Sequence, residues 1–469
     1  MDTLRLDEVD VANYRCFAQC TVKLHPKLTV FVAANGRGKT ALLDAISMAL
    51  SPVLDELCGT SGTPKWPHIA AEDIRRIRGN DGMVPAGLTE LNAQGCIDGK
   101  RLSWGVSRIA TAPRDRTTKR VTQLRNCVHA MRARLDSFAL REREFPPPLP
   151  LVAYYGTGRL WAEQRLTEGR RRRDLSPLGR LAGYQDCLSS ESSFKAFAAW
   201  YGDTASAARS PTLVATDPNE YPVHLLSAVR EVVQVVLAPT GWTAIDWEFL
   251  PRAEDGRERP GGHLVVEHPL QGRLPLSRLS DGVRNMIALV ADVAHRCVRL
   301  NPQFGLEAAR RTPGVLLIDE VDMHLHPGWQ QEVIGLLTQA FPLVQLIVTT
   351  HSPQVLSTVD RDSIQMISVE NGVGTLRKPE HQTRGVESAD VLAKVMGVHT
   401  VPRVEEALWL SAYRALVQEG HDQSPRAIAL HHRLINHFGD EHPVMHEVAT
   451  LRRLQEFKRA YTRPGHDGP

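Results

Sequence analysis

Residues 33–40, Ala-Ala-Asn-Gly-Arg-Gly-Lys-Thr, have the types and spacing that grip a phosphate. They follow the pattern GxxxxGK[ST] except at its first glycine, where Ala33 stands. Gly36 and Gly38 allow the strained turn in which backbone N–H groups from Asn35, Gly36, Arg37, Gly38, Lys39, Thr40 and Ala41 wrap phosphate oxygens. Lys39 offers a cation to the β- and γ-phosphates of a nucleotide such as ATP, and Thr40 a hydroxyl for its Mg2+. A second candidate follows the apolar run Val315-Leu-Leu-Ile318, where Asp319 and Glu320 stand side by side. Asp319 would organise Mg2+, and Glu320 would polarise an attacking water as general base. Taken alone, the pair is also an ordinary acidic turn after a strand. Two further segments have plain readings when isolated. Ser280-Asp281-Gly282 at a helix start is a good cap, and His351 at the end of Leu346-Ile-Val-Thr-Thr is a strand-end histidine of a kind that is usually structural.

These residues need elements to hold them. Leu28-Thr-Val-Phe-Val32 reads as a strand and Ala41–Leu50 as a helix, so the phosphate loop has the strand–loop–helix setting it requires. Runs at 149–155, 315–318 and 344–349 read as strands, and 222–238, 280–300 and 329–340 as helices. Asp98-Gly99 marks a hairpin tip, residues 117–143 a helix, and 243–276 alternating strands. Residues 160–210 look helical and polar. From about 386 the chain reads as helices to its end.

Composition narrows the class. The chain has 469 residues, 42% hydrophobic and 23% charged, with a formal net charge of +3. That length suggests two to four structural units. The near balance of charge neither demands nor excludes nucleic acid, so any such contact must come from a local patch. Residues 114–143 carry nine Lys/Arg against three Asp/Glu, and Arg170–Arg173 forms a second cluster. Seven scattered cysteines without a CxxC point to reduced thiols rather than a zinc site or disulfide framework. No apolar run approaches the ~18 residues of a membrane span, and the N-terminus has no signal-peptide pattern, so a cytoplasmic protein without membrane contact is expected. Histidines 431, 432, 437, 442 and 446 lack acidic partners at fixed spacing and read as solvent-facing or capping groups rather than metal ligands.

In order and spacing the four segments resemble the ABC-type ATPases of the SMC/RecF kind, with Ser280 placed 39 residues before Asp319. Asn13-Tyr-Arg-Cys-Phe17 ahead of the loop is similar to the opening of that family, where Arg15 would reach a phosphate. Asp319-Glu-Val-Asp-Met-His-Leu-His-Pro-Gly-Trp-Gln330 resembles the DExxxHLHPxWQ segment of the overcoming-lysogenisation-defect and Septu-like ATPases. Leu279–Met286, Tyr154–Trp161 and Thr350–Leu356 are similar to the Septu (PtuA-like) ATPases, which also occur beside some retrons. The resemblance covers roughly residues 1–400. It implies an α/β ABC-ATPase head, with a RecA-like core and antiparallel side sheet, a helical insertion and a C-terminal helical module. The expected division is 1–159, 160–240, 241–385 and 386–469. It also implies ATP and Mg2+ as cofactors, Ser280 and Gly282 as a signature contacting the γ-phosphate held by a second subunit, and His351 as a γ-phosphate sensor. A loop between lobes would fall at Tyr155–Arg159. The implied partners are a second copy or higher homo-oligomer and an HNH nuclease subunit (PtuB-like), with DNA, RNA or a retron reverse transcriptase and its msDNA as further candidates. The implied role is defence against phage. A RecF-like DNA clamp is the alternative. An ATPase that is itself a nuclease fits less well, because Asp360-Arg-Asp362 follows no strand ending in Glu-Gly and residues after 386 read as helical.

Overall fold

The computed structural model describes residues 3–59, 66–80, 82–110, 118–138, 146–160, 176–189, 194–209, 222–250, 261–398 and 401–462. The Arg170–Arg173 cluster and Trp161 lie outside them. The chain divides into two compact units, 1–396 and 397–469.

The strands of the first unit are β1 (Leu4–Tyr14), β2 (Phe17–Lys23), β3 (Leu28–Val32), β4 (Arg76–Gly79), β5 (Gly82–Pro85), β6 (Leu88–Ile97), β7 (Lys100–Ile109), β8 (Thr118–Arg120), β9 (Leu151–Tyr155), β10 (Ala244–Phe249), β11 (Gly262–His268), β12 (Gly272–Pro275), β13 (Gly314–Ile318), β14 (Val344–Thr349), β15 (Ile364–Glu370) and β16 (Val373–Arg377). Its helices are α1 (Lys39–Cys58), α2 (Thr122–Phe138), α3 (Phe194–Ala208), α4 (Pro222–Leu237), α5 (Asp281–Leu300), α6 (Ala308–Arg311), α7 (Pro327–Gln330), α8 (Val333–Ala340), α9 (Pro353–Leu356) and α10 (Ser388–Lys394).

Eleven strands form one sheet in the order β8-β7-β6-β1-β2-β16-β15-β3-β14-β13-β9. From β15 through β3, β14 and β13 to β9 every neighbour is parallel. These strands are near-continuous apolar runs, and β9, β13 and β14 are buried throughout, as strands covered on both faces must be. Parallel alignment brings the C-terminal ends of β3, β13, β14 and β9 to one edge, where ligands sit in such sheets. The phosphate loop, Asp319, His351 and the loop after Tyr155 all leave from that edge. The expected antiparallel side sheet is β8-β7-β6-β1-β2, and it continues the same sheet through the parallel pair β16–β2. β10-β11-β12 and β4-β5 form two small separate sheets.

Several boundaries differ from the sequence reading. The helix expected to end at Leu50 runs through Pro52 to Cys58. Proline removes one helical donor, and the Ser51 hydroxyl donates to the Met48 carbonyl at 2.9 Å in its place. The helix expected at 329–340 is two, α7 and α8. β15 and β16 form a hairpin through Asn371-Gly372, both at positive φ, where no strands were expected. The segment Pro222–Thr240 is long and apolar enough to cross a membrane; here its Leu226, Val229, Val233 and Val236 are buried in the same core as α5.

The second unit is a three-helix module of α11 (Glu405–Gln418), α12 (Pro425–Phe438) and α13 (Pro443–Thr462). Tyr413, Val417, Ala427, Leu434, Met445 and Val448 form its core. His442 Nδ1 accepts the Val444 N–H at 3.2 Å, a capping role. Among the described residues no cluster of three or more His, Cys, Asp or Glu could hold a metal ion.

One buried amide sets how β1 meets the parallel core. β2 pairs with β1 only from Glu8 onward, so the Leu6 backbone lies beyond that ladder. Gln345 on β14, 3% exposed, supplies the missing partners. Its Oε1 accepts the Leu6 N–H at 2.9 Å, and its Nε2 donates to Leu6 O at 2.7 Å and His25 O at 3.0 Å. Gln345→Leu should therefore lower unfolding free energy by ~2–4 kcal/mol, the cost of stranding several buried backbone groups. Urea unfolding with an unchanged m-value checks this.

Candidate functional site

The phosphate loop is shaped by its glycines. Gly36 has φ +74° and Gly38 φ +89°, values glycine alone adopts freely. Gly38 has a second reason to lack a side chain: a Cβ there would meet Phe17 Cζ at 2.6 Å and Cys16 Sγ at 2.7 Å. The segment Asn13–Phe17 thus backs the loop. Arg15 within it does not point to a phosphate of this loop as a free cation; it pairs with Asp44 at 2.6 Å and Asp73 at 2.8 Å. Arg37 is exposed and donates to the Val369 carbonyl at 3.3 Å, so the β15–β16 hairpin steadies the loop. Asn35 is exposed and Ala41 buried.

Lys39 opens α1 and is 7% exposed. Its Nζ donates to Ala33 O at 2.9 Å. Burial pushes its pKa below the ordinary lysine value, against the pull of Asp319, Glu320 and Asp322, which favour the charge. The cation and the carboxylates after β13 therefore share one locale. The tie is direct at Thr40, whose Oγ1 donates to Asp319 Oδ2 at 2.7 Å.

Asp319 is 1% exposed. Its other oxygen accepts Thr349 Oγ1 at 2.5 Å, and the Thr349 hydroxyl accepts the Glu320 N–H at 2.7 Å. Glu320 sits at φ +47°, a left-handed conformation a non-glycine residue adopts at a cost. Thr350 Oγ1 donates to Asp322 Oδ1 at 2.6 Å, and Ser352 Oγ to Gln330 Oε1 at 2.7 Å. The carboxylate segment after β13 and the Thr-Thr-His-Ser segment after β14 are thus laced together, with half-buried His351 between Thr350 and Ser352. Thr349, Asp322 and Gln330 were not singled out from sequence; the adjacent Thr349-Thr350 before His351 was the available signal.

These groups fit a magnesium nucleotide. No side chain caps α1 and its first turn holds no acid, so its leading N–H groups and dipole suit a phosphate. The Thr40 and Asp319 oxygens are hard donors of the kind Mg2+ takes.

Ser280 and Gly282 occupy a different place. Ser280 is the exposed N-cap residue of α5, yet its side chain makes no cap hydrogen bond. Gly282 is buried, and a Cβ there would lie 2.2 Å from His324 O. Among the described residues no hydrogen bond joins Ser280 or Gly282 to the loop at 33–40.

The chain is similar to several known proteins. The AAA domain family matches residues 8–199. The family described as "AAA domain, putative AbiEii toxin, Type IV TA system" matches residues 250–357. The retron Vc95 probable ATPase of Vibrio cholerae serotype O1 biovar El Tor is 26% identical over 452 residues, covering 89% of this chain and 84% of that protein. The Septu protein PtuA of Bacillus mycoides (strain KBAB4) is 33% identical over 134 residues, 28% of this chain and 18% of that one. A solved Smc head, bound to the C-winged helix domain of ScpA, aligns over 80% of this chain and 98% of its own at 14% identity and TM-score 0.46. With its own parallel core, phosphate loop and laced carboxylates, the chain is an ATPase with AAA-domain segments, similar to the retron Vc95 probable ATPase over most of its length and to the Septu protein PtuA over a shorter stretch.

Proposed function

We propose that this ATPase is the dimerisation switch of a bacterial anti-phage defence system and that it controls a separate HNH-type nuclease. The carrying observation is the hydrogen-bonded chain Thr40–Asp319–Thr349–Glu320. It joins the phosphate loop to the candidate base through one buried carboxylate. In this reading Lys39 neutralises the β- and γ-phosphates while Thr40 and Asp319 hold Mg2+. Bound Mg2+ offsets charge on the transferring phosphoryl group. Glu320, steadied through its N–H by Thr349, takes a proton from the attacking water. His351 faces the same edge as sensor. The exposed Ser280 hydroxyl and the N–H groups opening α5 complete the site of a second copy, which is why the hydroxyl is not spent on its own helix.

The defence role is supported by kinship with the retron and Septu ATPases, and the nuclease partner by resemblance of the Asp319–Gln330 and Tyr154–Trp161 segments to Septu ATPases. We assign partner docking to α11–α13, where Leu408, Ile428, Leu454 and Phe457 are exposed. The DNA-clamp alternative drew on the basic helix α2. There Arg125 pairs with Glu56 and Arg134 with Asp98, which leaves less charge for phosphates.

Four outcomes are expected. Lys39→Ala should weaken ATP binding at least ~10-fold, the worth of a charge-assisted bond to phosphate, by equilibrium binding. Glu320→Gln should bind ATP normally, hydrolyse it ~10²–10⁴-fold more slowly and accumulate as a dimer by light scattering; normal turnover refutes its role as base. Thr349→Val should cut turnover ~10–100-fold, as loss of a ligand's supporting bond does, and raise the Mg2+ concentration needed. The tagged chain purified from its native operon should bring an HNH protein with it; a chain that arrives alone and binds DNA overturns the switch reading.

A further inference from the structure

Tyr154 and Tyr155 end β9 with two buried hydroxyls that the proposed chemistry leaves unused. Consecutive strand residues point to opposite faces of a sheet, and these two reach different helices. Tyr154 Oη donates to Asp44 Oδ1 at 2.7 Å. Asp44 lies in the second turn of α1, just past the phosphate loop. Tyr155 Oη donates to Asp292 Oδ2 at 2.6 Å. Asp292 lies midway along α5, the helix that Ser280 opens.

The second connection closes on itself. Arg296 Nε donates to Asp292 Oδ2 at 2.9 Å, and its Nη1 donates to the carbonyls of Gly183 and Gln185, each at 2.9 Å. That segment returns to the strand, where Cys187 O accepts the Tyr154 N–H at 2.7 Å. The strand in turn holds the metal-site carboxylate, because Tyr155 O accepts the Asp319 N–H at 2.8 Å. Asp292 is 4% and Arg296 6% exposed. Burial alone would raise the Asp292 pKa, but Arg296, His295 and Tyr155 outweigh it and hold the carboxyl well below the usual carboxylate range. A charged pair this deep has no solvent to fall back on, so breaking it without a substitute partner is expensive. The strand end and the helix are therefore joined by buried, charge-assisted hydrogen bonds.

We propose that Tyr155, acting through Asp292 and Arg296, is a positioning residue that fixes α5 to the end of β9. Nucleotide held at Asp319 of one subunit thereby sets the pose of the helix that the same subunit offers to its partner's nucleotide. The inference rests on the dimerisation reading above and names the path by which the two half-sites of one chain communicate. Tyr154, on the other face, ties the same strand to α1, so both nucleotide-facing helices take their position from one dipeptide.

The test is Tyr155→Phe in the full chain carrying Glu320→Gln, with Tyr201→Phe as control. Tyr201 is equally buried, and its hydroxyl donates to Ile245 O at 3.2 Å and accepts from Arg230 Nε at 3.0 Å. Monomer affinity for a fluorescent ATP analogue should stay within about twofold. The dimer dissociation constant in ATP, by sedimentation, should rise about tenfold in Tyr155→Phe, the size of a typical coupling between sites, and hold in Tyr201→Phe. An unchanged constant in Tyr155→Phe, or an equal loss in Tyr201→Phe, overturns the proposal. Hydrogen exchange at monomeric dilution supplies a readout that needs no dimer. ATP should slow exchange within residues 281–300 in the parent and the control and fail to do so in Tyr155→Phe. A parent that never dimerises with ATP would sink the dimerisation reading, while the exchange comparison still decides the tie: equal slowing in all three chains refutes it.

Discussion

A buried carboxylate is the constraint around which the site is built. Asp319 is all but excluded from solvent, and an ionised group so placed costs several kcal/mol unless donors reach it. Here hydroxyl donors arrive from two separate elements, Thr40 from α1 and Thr349 from β14, while on the other flank of β13 the Tyr155 carbonyl of β9 accepts the Asp319 backbone N–H. Satisfying one acid therefore requires that β13, β14 and α1 meet at a single edge, and the backbone bond to β9 fixes the strand that carries it. The right-handed crossovers of a parallel sheet deliver that meeting, and buried amides such as Gln345 fix how the flanking antiparallel strands attach.

The same demand explains which parts of the site were legible beforehand. Phosphate binding is local: a strand, glycines at 36 and 38, a lysine and a helix start within a dozen residues, so sequence shows it whole. The Asp319-Glu320 pair is local too. Thr349 is not, since its partners lie some thirty residues away and a threonine at a strand end looks like any other. Tyr154 and Tyr155 were read as part of a family-like segment, but nothing in their spacing says that one reaches Asp44 and the other Asp292. The β15–β16 hairpin is a different case. Asn371-Gly372 between two short alternating runs is a strong hairpin signal, and the φ values of +52° and +83° obey it. In the structure Asp362 pairs with Lys378 and Asp360 with Arg384, so those acids brace the hairpin and its exit.

Helix ends depart from the apolar pattern at two places. Propensity places a stop at Pro52, yet proline's cost is the carbonyl it orphans, and a neighbouring hydroxyl can absorb that cost, as Ser51 does for Met48. The break between α7 and α8 is likewise invisible to an apolar period, which continues across Gln331-Glu332.

The close approach at Gly282 bears on how a symmetric dimer could work. The His324 carbonyl occupies the space a side chain would need, and His324 is itself at φ +62°. His324 belongs to the turn that begins with Asp319 and Glu320 and is pinned to β14 by Asp322 and Thr350. The mouth of α5 is thus seated on the same turn that carries the candidate base. Seen from the far end of α5, Asp292 fastens the helix to β9. A helix held at both its mouth and its middle by groups bonded to Asp319 or its turn is tied to the candidate carboxylates at two points. In the dimer proposed above, a load that a second subunit places on Ser280 would therefore be felt at Glu320, and hydrolysis in one half would respond to engagement of the other.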